Sequence, residues 1–573
     1  MKNLSRKETC WAILQQVPTY LIAVLSLLIC GFLTVASLFS LAVMRMDEIP
    51  VLGELPEQLV LADRNVLHVA PVVAVLSILL LLLARQNFTW KHAKIVTWVA
   101  AAVQTILGFW WKSSFASSPV ADQGTFWNVA ESLAGHQAPS AELLDYLRYW
   151  PFQAAVGMTG EPFARLFNGN YGAWQVMNAF CVGGCVMLLS CICGRITNSP
   201  RAKACCAVLV AGFFPLNMYT TFVYGTLSGT MTSLLAVYAV IRQCTAEDKK
   251  SERKWWAVGT VAITLAITLY TGMQIFLVAV TLLLLATGIF HRDQRQKILG
   301  AVLMFVVAFG FQHGWQALAM HRMGLGNEPG CPIWPRVAMG VDANTDVTPG
   351  FYNCVNAGLY YASNFVPKAA NERAMDYIVL CLNQLWETGR FGSFFYEKTA
   401  DQWLEPWFGG LTMNNPSIFE EPKWLATAIT SKTLFVPVHA WLSMLISVVY
   451  VWSTVGVVVL LRKHKTQVWQ LSLAVCLIGG FVFQLAAEAK ARYCLPYSCA
   501  ASRWRRPVWL PQRKSCPARN ARKTPQNNCG KSRFALVFPK RLCYTTNVTA
   551  ARYGAYASTV PTTPYCADGR YIF

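Results

Sequence analysis

The sequence predicts an all-α polytopic membrane protein with about eleven transmembrane helices and two large extracytoplasmic loops. Only 13% of the 573 residues are charged, against roughly 25% in an ordinary soluble domain. Hydrophobic residues make up 55% of the chain, and the mean hydropathy is +0.37. A soluble protein of this length needs more polar surface than these residues supply. The composition therefore excludes a soluble globular enzyme, a disordered chain, a collagen and a small disulfide-rich scaffold.

Eleven apolar segments predict the membrane spans, because a bilayer needs about 20 apolar residues per helix. Lys2, Arg6 and Lys7 precede the first segment, as basic residues precede a signal peptide. Its apolar stretch is too long for a signal peptide, however, and no small-residue cleavage site ends it, so we interpret it as a retained span. The segments comprise residues 18–44, 66–84, 95–111, 173–194, 204–222, 225–241, 255–271, 273–290, 298–318, 434–461 and 468–488.

Basic residues in the short loops predict the orientation of the chain in the membrane. Five loops are basic, and all five lie on the cytoplasmic side if the N-terminus is cytoplasmic and the eleven spans alternate. Three longer segments then face outward: the acidic residues 45–65 and the large loops 112–172 and 319–433. Because loops of that length in a compact protein are usually functional or folded, we expect an extracytoplasmic active site.

An acidic residue with aromatic and amide neighbours marks the first large loop. Asp122 lies about ten residues beyond the third predicted span, and the same loop supplies Gln123, Tyr149 and Gln153. Rings pack on the apolar faces of sugars, and amides form hydrogen bonds with sugar hydroxyls. A single acid beyond a span end is as often a plain interfacial residue. The neighbouring rings and amides are what favour a sugar-binding site.

A second charged cluster, at residues 488–497, follows the last predicted span. Each charge alone is commonplace at a helix end, where Lys and Arg side chains extend toward the membrane surface. Three charges within five residues are less common. Arg492 is suited to bidentate phosphate binding, and Lys490 adds a point charge. The predicted topology puts this cluster on the same face as Asp122, and sugar transfer from a lipid phosphate requires such a pair of groups.

Further short motifs accompany these two clusters. In chain order, the set comprises Asp122-Gln123, Tyr149-Trp150-Pro151-Phe152-Gln153, Asn178, Phe214-Pro215, Tyr224-Gly225, Trp334-Pro335-Arg336-Val337-Ala338-Met339-Gly340, Pro349-Gly350-Phe351-Tyr352-Asn353, Lys398, Trp403-Leu404-Glu405-Pro406 and Glu488-Ala489-Lys490-Ala491-Arg492-Tyr493. Together they resemble bacterial membrane glycosyltransferases of the GT-C fold, related to the dolichyl-phosphate-mannose protein mannosyltransferases (family 39-like). The resemblance covers about residues 90–497. It implies transfer of a sugar, with mannose as the suggested one, from a polyprenyl-phosphate donor in the outer leaflet to a hydroxyl acceptor.

The resemblance also implies roles for individual residues. Asp122 is the candidate general base, and Arg492 with Lys490 is the candidate for holding the leaving phosphate. Lys398 is a weaker phosphate or acceptor contact. Such enzymes generally need no metal, no nucleotide and no other cofactor. The remaining substrate-binding candidates are Gln123, Tyr149, Gln153, Asn178, Trp403 and Tyr493.

Two features depart from the family's pattern. Relatives with an Asp-Glu pair have a second acid where this chain has Gln123, which puts any role for a paired carboxylate in doubt. Relatives also continue into further apolar spans, whereas this chain becomes rich in Arg, Pro and Cys after Tyr497. Residues 498–573 hold 14 Lys or Arg and one acid, so they carry +13 of the net charge of +21. We expect this tail to be disordered or out of frame, and not to be a nucleic-acid-binding domain.

These predictions divide the chain into an N-terminal transmembrane hairpin region (1–94), a GT-C-like transmembrane catalytic region (95–497) and the basic tail (498–573). We expect an integral protein of the bacterial plasma membrane. Its expected partners are membrane lipid, the polyprenyl-phosphate sugar donor and a hydroxyl acceptor, with no nucleic acid.

Two alternatives stay open. A polytopic transporter, or a polysaccharide flippase or polymerase, has similar spans, although charged residues are nearly absent from the spans of this chain. An inactive truncated remnant is the other alternative, because missing terminal spans could remove part of the donor-lipid cavity.

Overall fold

The computed structural model describes residues 6–44, 59–115, 117–344, 348–411, 424–430, 434–462 and 466–501. Helices make up most of this part of the chain, and the one sheet in it has two strands. The predicted all-α class is therefore confirmed. Eight of the described helices are long and apolar enough to cross a membrane, whereas the sequence predicts eleven spans.

The N-terminal part contains three of these eight helices and both strands. Its elements are α1 (Arg6–Phe39), β1 (Ser40–Met44), β2 (Leu59–Asp63), α2 (Val66–Arg85) and α3 (Trp90–Ser114). The strands pair in antiparallel fashion, from Ser40 opposite Asp63 to Met44 opposite Leu59. The predicted span 18–44 is wrong at its end, because α1 stops at Phe39 and residues 40–44 form β1. Strand β2 lies in the segment 45–65, for which only an acidic outer segment is predicted. Helix α3 begins after Thr89, whose hydroxyl accepts a hydrogen bond from the backbone N–H of His92 at 3.2 Å.

The first large loop folds into short helices. They are α4 (Asp122–Ala134), α5 (Ala141–Tyr149), α6 (Pro151–Met158) and α7 (Glu161–Leu166). Glu161, at the start of α7, accepts two hydrogen bonds from Arg322, at 2.5 and 2.7 Å, and one from Arg165 at 2.7 Å. Bidentate pairs of this kind are geometrically specific. This one attaches the loop to the end of a later helix.

The central part of the chain departs most from the predicted spans. Its helices are α8 (Gly172–Thr197), α9 (Pro200–Ala211), α10 (Pro215–Met218), α11 (Thr226–Cys244), α12 (Lys249–Leu269), α13 (Gln274–Phe290) and α14 (Gln296–Arg322). The predicted span 204–222 is wrong as one helix, because α9 ends at Ala211 and Pro215 starts a separate turn. Helices α11 and α12 match the other two segments, but Ser and Thr in α11 and charges at the start of α12 make them less apolar. By length and composition α8 and α14 qualify as spans, as does α13 together with the turn before it.

The second large loop is also largely helical where it is described. Its helices are α15 (Ile333–Gly340), α16 (Val355–Ala362), α17 (Pro367–Glu387), α18 (Phe391–Trp403) and α19 (Trp424–Thr430). Helix α18 contacts the strand pair, where the hydroxyls of Tyr396 and Ser40 are 2.6 Å apart. Where they are described, both predicted loops therefore contain packed helices.

The last described elements are α20 (Phe435–Leu461), α21 (Ser472–Ala486) and α22 (Ala491–Ala501). Helix α20 qualifies as a span, as does α21 together with the turn before it. Because α22 continues to Ala501, the described helix runs four residues beyond the predicted boundary at 497. Residues 502–573, which form nearly all of the predicted tail, lie outside the described residues.

Helices α11 and α12 approach each other closely at Gly225. A Cβ atom at this position would lie 1.8 Å from the carbonyl oxygen of Leu269. The obstacle is backbone, which cannot rotate away as a side chain can. Glycine is therefore required by the packing of these two helices.

We expect Gly225→Ala to lower the apparent melting temperature of the purified protein in detergent by several degrees. Overpacking of this kind costs about 1–3 kcal/mol or more, because neighbouring atoms must shift. Gly358→Ala is the matched control, since a Cβ in that helix meets nothing within 4 Å. If both variants melt with the wild type, the close approach at Leu269 is not a constraint on folding.

Candidate active site

The start of α4 places Asp122 in the first turn of the helix. The preceding residue, Ala121, has φ of +48°, a backbone conformation that alanine rarely adopts. Such strain costs on the order of 1–3 kcal/mol and is concentrated at functional sites. A carboxylate in the first turn also interacts favourably with the positive end of the helix dipole. The local backbone thus presents Asp122 at a helix start.

Asp122 forms an ion pair with Arg492, which is 370 residues further along the chain. Nη2 of Arg492 donates a hydrogen bond to Oδ2 of Asp122 at 2.8 Å, and also donates to the hydroxyl of Tyr493 at 3.1 Å. The side chain of Arg492 is 12% exposed and that of Asp122 is 29% exposed. The structure therefore brings together, in a partly shielded site, the candidate base and the candidate phosphate ligand.

The other carboxylate oxygen of Asp122 is bound by two neighbouring side chains. The hydroxyl of Tyr146 donates to Oδ1 at 3.3 Å, and Nε2 of Gln153 donates to it at 3.5 Å. Oε1 of Gln153 accepts from the hydroxyl of Tyr224 at 2.7 Å, which fixes the direction of the amide. With both oxygens engaged, the carboxylate has a defined orientation.

The pKa of Asp122 is lowered from its ordinary value. Burial alone raises the pKa, but the charges of Arg492 and Lys490, with hydrogen bonds from Arg492 and Tyr146, favour the carboxylate more strongly. Asp122 is therefore an anion at neutral pH. Burial and the adjacent Asp122 charge raise the pKa of Tyr146, so its hydroxyl stays protonated and remains a donor.

Lys490 lies against aromatic rings of the second large loop. Its Nζ is 5.0 Å from the ring centre of Phe351 and 5.6 Å from that of Tyr352, within the range of cation–π attraction. Nζ is also 3.7 Å from Oε1 of Glu488. The charge of Lys490 acts on Asp122 as well. The carboxylate is therefore paired with Arg492 and also influenced by the charge of Lys490.

A turn that begins at Glu405 packs beside Arg492. The buried carboxylate of Glu405 accepts hydrogen bonds from the backbone N–H groups of Trp407 at 2.9 Å and Gly409 at 2.6 Å. These bonds stabilise Phe408 and Gly409 in left-handed conformations, with φ of +49° and +69°. A Cβ on Gly409 would lie 3.4 Å from the Cβ of Arg492. The turn is thus one wall of the site.

Gln123 and Asn178 are buried and bind backbone groups of the protein. Oε1 of Gln123 accepts a hydrogen bond from the N–H of Val223 at 2.7 Å. Nδ2 of Asn178 donates to the carbonyl oxygens of Thr220 at 3.3 Å and Phe222 at 2.9 Å. These backbone groups belong to the buried, non-helical segment between α10 and α11. As substrate contacts, the two amides stay a prediction.

Lys398 is 0% exposed and also binds backbone. Its Nζ donates to the carbonyl oxygen of Gly340 and, at 2.8 Å, to that of Ala487. Burial lowers the pKa of Lys398 to about 7, against an opposing effect of Glu488. Even a neutral amine has two N–H donors, which match the two carbonyl oxygens. Lys398 joins the end of α15 to the segment before α22, and its phosphate or acceptor contact stays a prediction.

The other two aromatic candidates contact neighbouring rings. Trp403 is 1% exposed, and its ring packs on Phe481 at 5.8 Å. Tyr149 ends α5, with its ring 6.0 Å from Tyr360 and 5.2 Å from Phe365. The burial of Trp403 gives no support to a substrate contact, and for both residues that role stays a prediction.

Tyr146 is a site residue that the sequence motifs do not include, whereas Tyr224 stands in the motif Tyr224-Gly225 without a role of its own. Tyr146 lies on the same face of α5 as the buried residues Leu143 and Leu147. The helical spacing of these residues could therefore have predicted that Tyr146 points toward the interior. The hydroxyl of Tyr224 donates a hydrogen bond to Gln153, which is 71 residues earlier in the chain and itself binds Asp122. No local pattern predicts that contact.

The chemistry of the site is that of a carboxylate beside an anion-binding pair of cations. Within the described part of the chain, no group of three or more His, Cys, Asp or Glu side chains is arranged to hold a metal ion. Arg492 and Lys490 are suited instead to a phosphate.

No protein-family model matches this chain, and no curated protein sequence matches it. Among solved structures, the chain is similar to the archaeal oligosaccharyltransferase AglB from Archaeoglobus fulgidus in complex with an inhibitory peptide and a dolichol-phosphate, at 13% sequence identity and a TM-score of 0.37. It is also similar to the apo form of the Archaeoglobus fulgidus oligosaccharyltransferase, at 11% identity and a TM-score of 0.38. Each comparison covers 72% of this chain and 49% of the other, so the chain spans about half the length of these structures. A likeness at this level assigns neither a family nor a function.

We expect Lys398→Met to remove part of the pH dependence of stability. The pKa of about 7 in the fold lies below the ordinary lysine value of 10.5, so between these values the unfolded chain binds a proton that the folded chain does not. Through this group, wild-type stability rises as the pH increases from about 7 to about 10. Apparent melting temperatures across this range should therefore increase more, or fall less, in the wild type than in Lys398→Met.

Lys368→Met is the control for that comparison, because Lys368 is exposed on α17. Its pH profile should follow the wild type. A Lys398→Met profile parallel to the wild type would contradict the lowered pKa.

Proposed function

We propose that this chain is a membrane glycosyltransferase that moves a sugar from a polyprenyl-phosphate-linked donor to a hydroxyl acceptor. The observation that carries the proposal is the 2.8 Å ion pair of Asp122 and Arg492. Glycosyl transfer from a phosphate ester needs a base for the acceptor hydroxyl and a cation for the leaving phosphate. The eight apolar helices among the described residues support a membrane location, where a lipid-linked donor resides.

In the proposed reaction, the acceptor oxygen forms a bond to the anomeric carbon of the sugar while the bond from that carbon to the phosphate oxygen breaks. The electron pair of the broken bond goes to the phosphate, which leaves as polyprenyl phosphate. Asp122 takes the proton of the acceptor hydroxyl and later releases it to water. Hydrogen bonds from Tyr146 and Gln153 keep the carboxylate oriented during this step.

Arg492 is the proposed ligand of the phosphate, and Lys490 is the second positive charge. A guanidinium binds phosphate through parallel hydrogen bonds and keeps its charge at every physiological pH. Negative charge that develops on the leaving oxygen is stabilised best by donors that are already oriented. Tyr493 and the turn at Glu405 supply this orientation for Arg492.

We further propose mannose as the sugar and the outer face of a bacterial plasma membrane as the place of transfer, with a cytoplasmic N-terminus. The five basic loops support this orientation. The resemblance of the short motifs supports the sugar and the bacterial membrane. Both large loops contribute to the site, through Asp122 and Tyr146 in the first and Phe351 in the second.

We expect Asp122→Asn to reduce sugar transfer at least about 100-fold, because a general base typically contributes 10²–10⁴ in rate. The amide keeps the size of the side chain but cannot accept the acceptor's proton. The measurement is transfer of radiolabelled sugar from a polyprenyl-phosphate donor in membranes. Asp145→Asn, in an exposed pair with Arg148 on α5, is the control that should keep wild-type transfer. Full activity of a normally inserted Asp122→Asn variant would remove Asp122 from the base role.

We expect Arg492→Lys to lower kcat/KM for the donor about 10- to 100-fold, because lysine keeps the charge but loses the planar fork. The KM for the acceptor should stay close to the wild-type value. Initial rates measured against both substrates separate the two effects, with Arg148→Lys on the exposed face of α5 as the control. A change confined to the KM of the acceptor would assign Arg492 to the acceptor and not to the phosphate.

A further inference from the structure

Asp122 and Arg492 cannot act in their proposed roles while they are paired with each other. Asp122 occupies a donor N–H of Arg492 at 2.8 Å and compensates its charge, so an incoming phosphate must compete with the carboxylate. A carboxylate held by a guanidinium is in turn a weakened base, because the cation stabilises its unprotonated form. The pair must therefore open before transfer.

We propose that Asp122 occupies the phosphate site of Arg492 until the donor's phosphate displaces it, so that donor binding releases the base. This inference rests on the proposed function and adds an order to it: the donor binds first and the acceptor second. The displaced carboxylate stays within the site, because Tyr146 and Gln153 bind its other oxygen.

The charges of the site favour such an exchange. The positive charges of Arg492 and Lys490 each lie beside a carboxylate, that of Asp122 at 2.8 Å and that of Glu488 at 3.7 Å. A donor phosphodiester adds one negative charge, which repels Asp122 from the guanidinium that both anions share. The transfer step then leaves the total charge unchanged, because Asp122 gains a proton while the phosphodiester becomes a phosphate monoester with one more negative charge.

The same exchange returns the site to its starting state. Once polyprenyl phosphate departs, Arg492 lacks its anion and Asp122 carries the proton from the acceptor. Pairing with Arg492 favours loss of that proton to water. Release of the lipid product, release of the proton and re-formation of the pair are therefore coupled.

The exchange predicts that an inactive variant binds the lipid product more tightly than the wild type does. The probe is a polyprenyl monophosphate without sugar, and the protein is the full chain in phosphatidylcholine nanodiscs. Asp122→Asn removes the competing anion with little change of shape, so it should bind the probe about tenfold more tightly while it fails to transfer sugar. Asp122→Ser gives a second neutral variant should the first fold poorly.

Glu488→Gln is the matched control for charge. It removes one negative charge that lies 3.7 Å from Lys490. The affinity of this variant for the probe therefore measures the effect of losing a negative charge near the site other than that of Asp122. The gain in Asp122→Asn should exceed this effect several-fold. In Arg492→Gln, with or without Asp122→Asn, the probe should bind weakly, because the guanidinium that binds the phosphate is absent.

The outcomes separate the exchange from the proposed function. Equal affinity in the wild type and Asp122→Asn, or equal gains in Asp122→Asn and Glu488→Gln, would overturn the exchange while a loss in Arg492→Gln keeps Arg492 as the phosphate ligand. Unchanged binding in a folded Arg492→Gln variant would overturn the phosphate role itself, and the exchange with it.

Discussion

Every backbone N–H and C=O group in the interior of a membrane protein needs a hydrogen-bond partner, because packed helices and lipid supply no water. Helices satisfy their own groups, but the non-helical segments before α11 and before α22 do not. Buried side chains supply the missing partners, since Gln123 and Asn178 bind the first segment and Lys398 binds the second. The geometry of the candidate site depends on these bonds.

These bonds position the candidate site because they lie close in the chain to Asp122 and Arg492. Gln123 is the neighbour of Asp122, so its bond to Val223 fixes the first turn of α4 against the body of the protein. Ala487, bound by Lys398, lies five residues before Arg492 and fixes the approach to α22. The ion pair thus joins two independently anchored backbone segments. Preoriented groups of this kind need little reorganisation in a transition state, which suits stabilisation of a leaving phosphate.

Hydropathy was sufficient to predict the helical membrane class, and loop charges put Asp122 and Arg492 on one predicted face. Hydropathy missed the break after Ala211 because its residues are as apolar as the helices around it, although Pro215 is a local signal against one continuous helix. The hydrogen bond between Tyr224 and Gln153 joins distant segments of the chain, and no local pattern predicts it. The motif residues Asn178 and Lys398 became candidates through the resemblance to GT-C glycosyltransferases. Sequence alone could not distinguish a substrate contact from a bond to buried backbone, because both require a polar side chain.

In the proposed function, the Asp122–Arg492 site breaks the bond between sugar and lipid phosphate. The most direct measurement follows a donor labelled in its sugar, supplied to the purified chain in sealed vesicles with a hydroxyl acceptor. The proposed reaction predicts that the label leaves the lipid and enters the acceptor, with release of one polyprenyl phosphate for each sugar transferred. Label that crosses the bilayer while still attached to its lipid would contradict it and indicate a carrier.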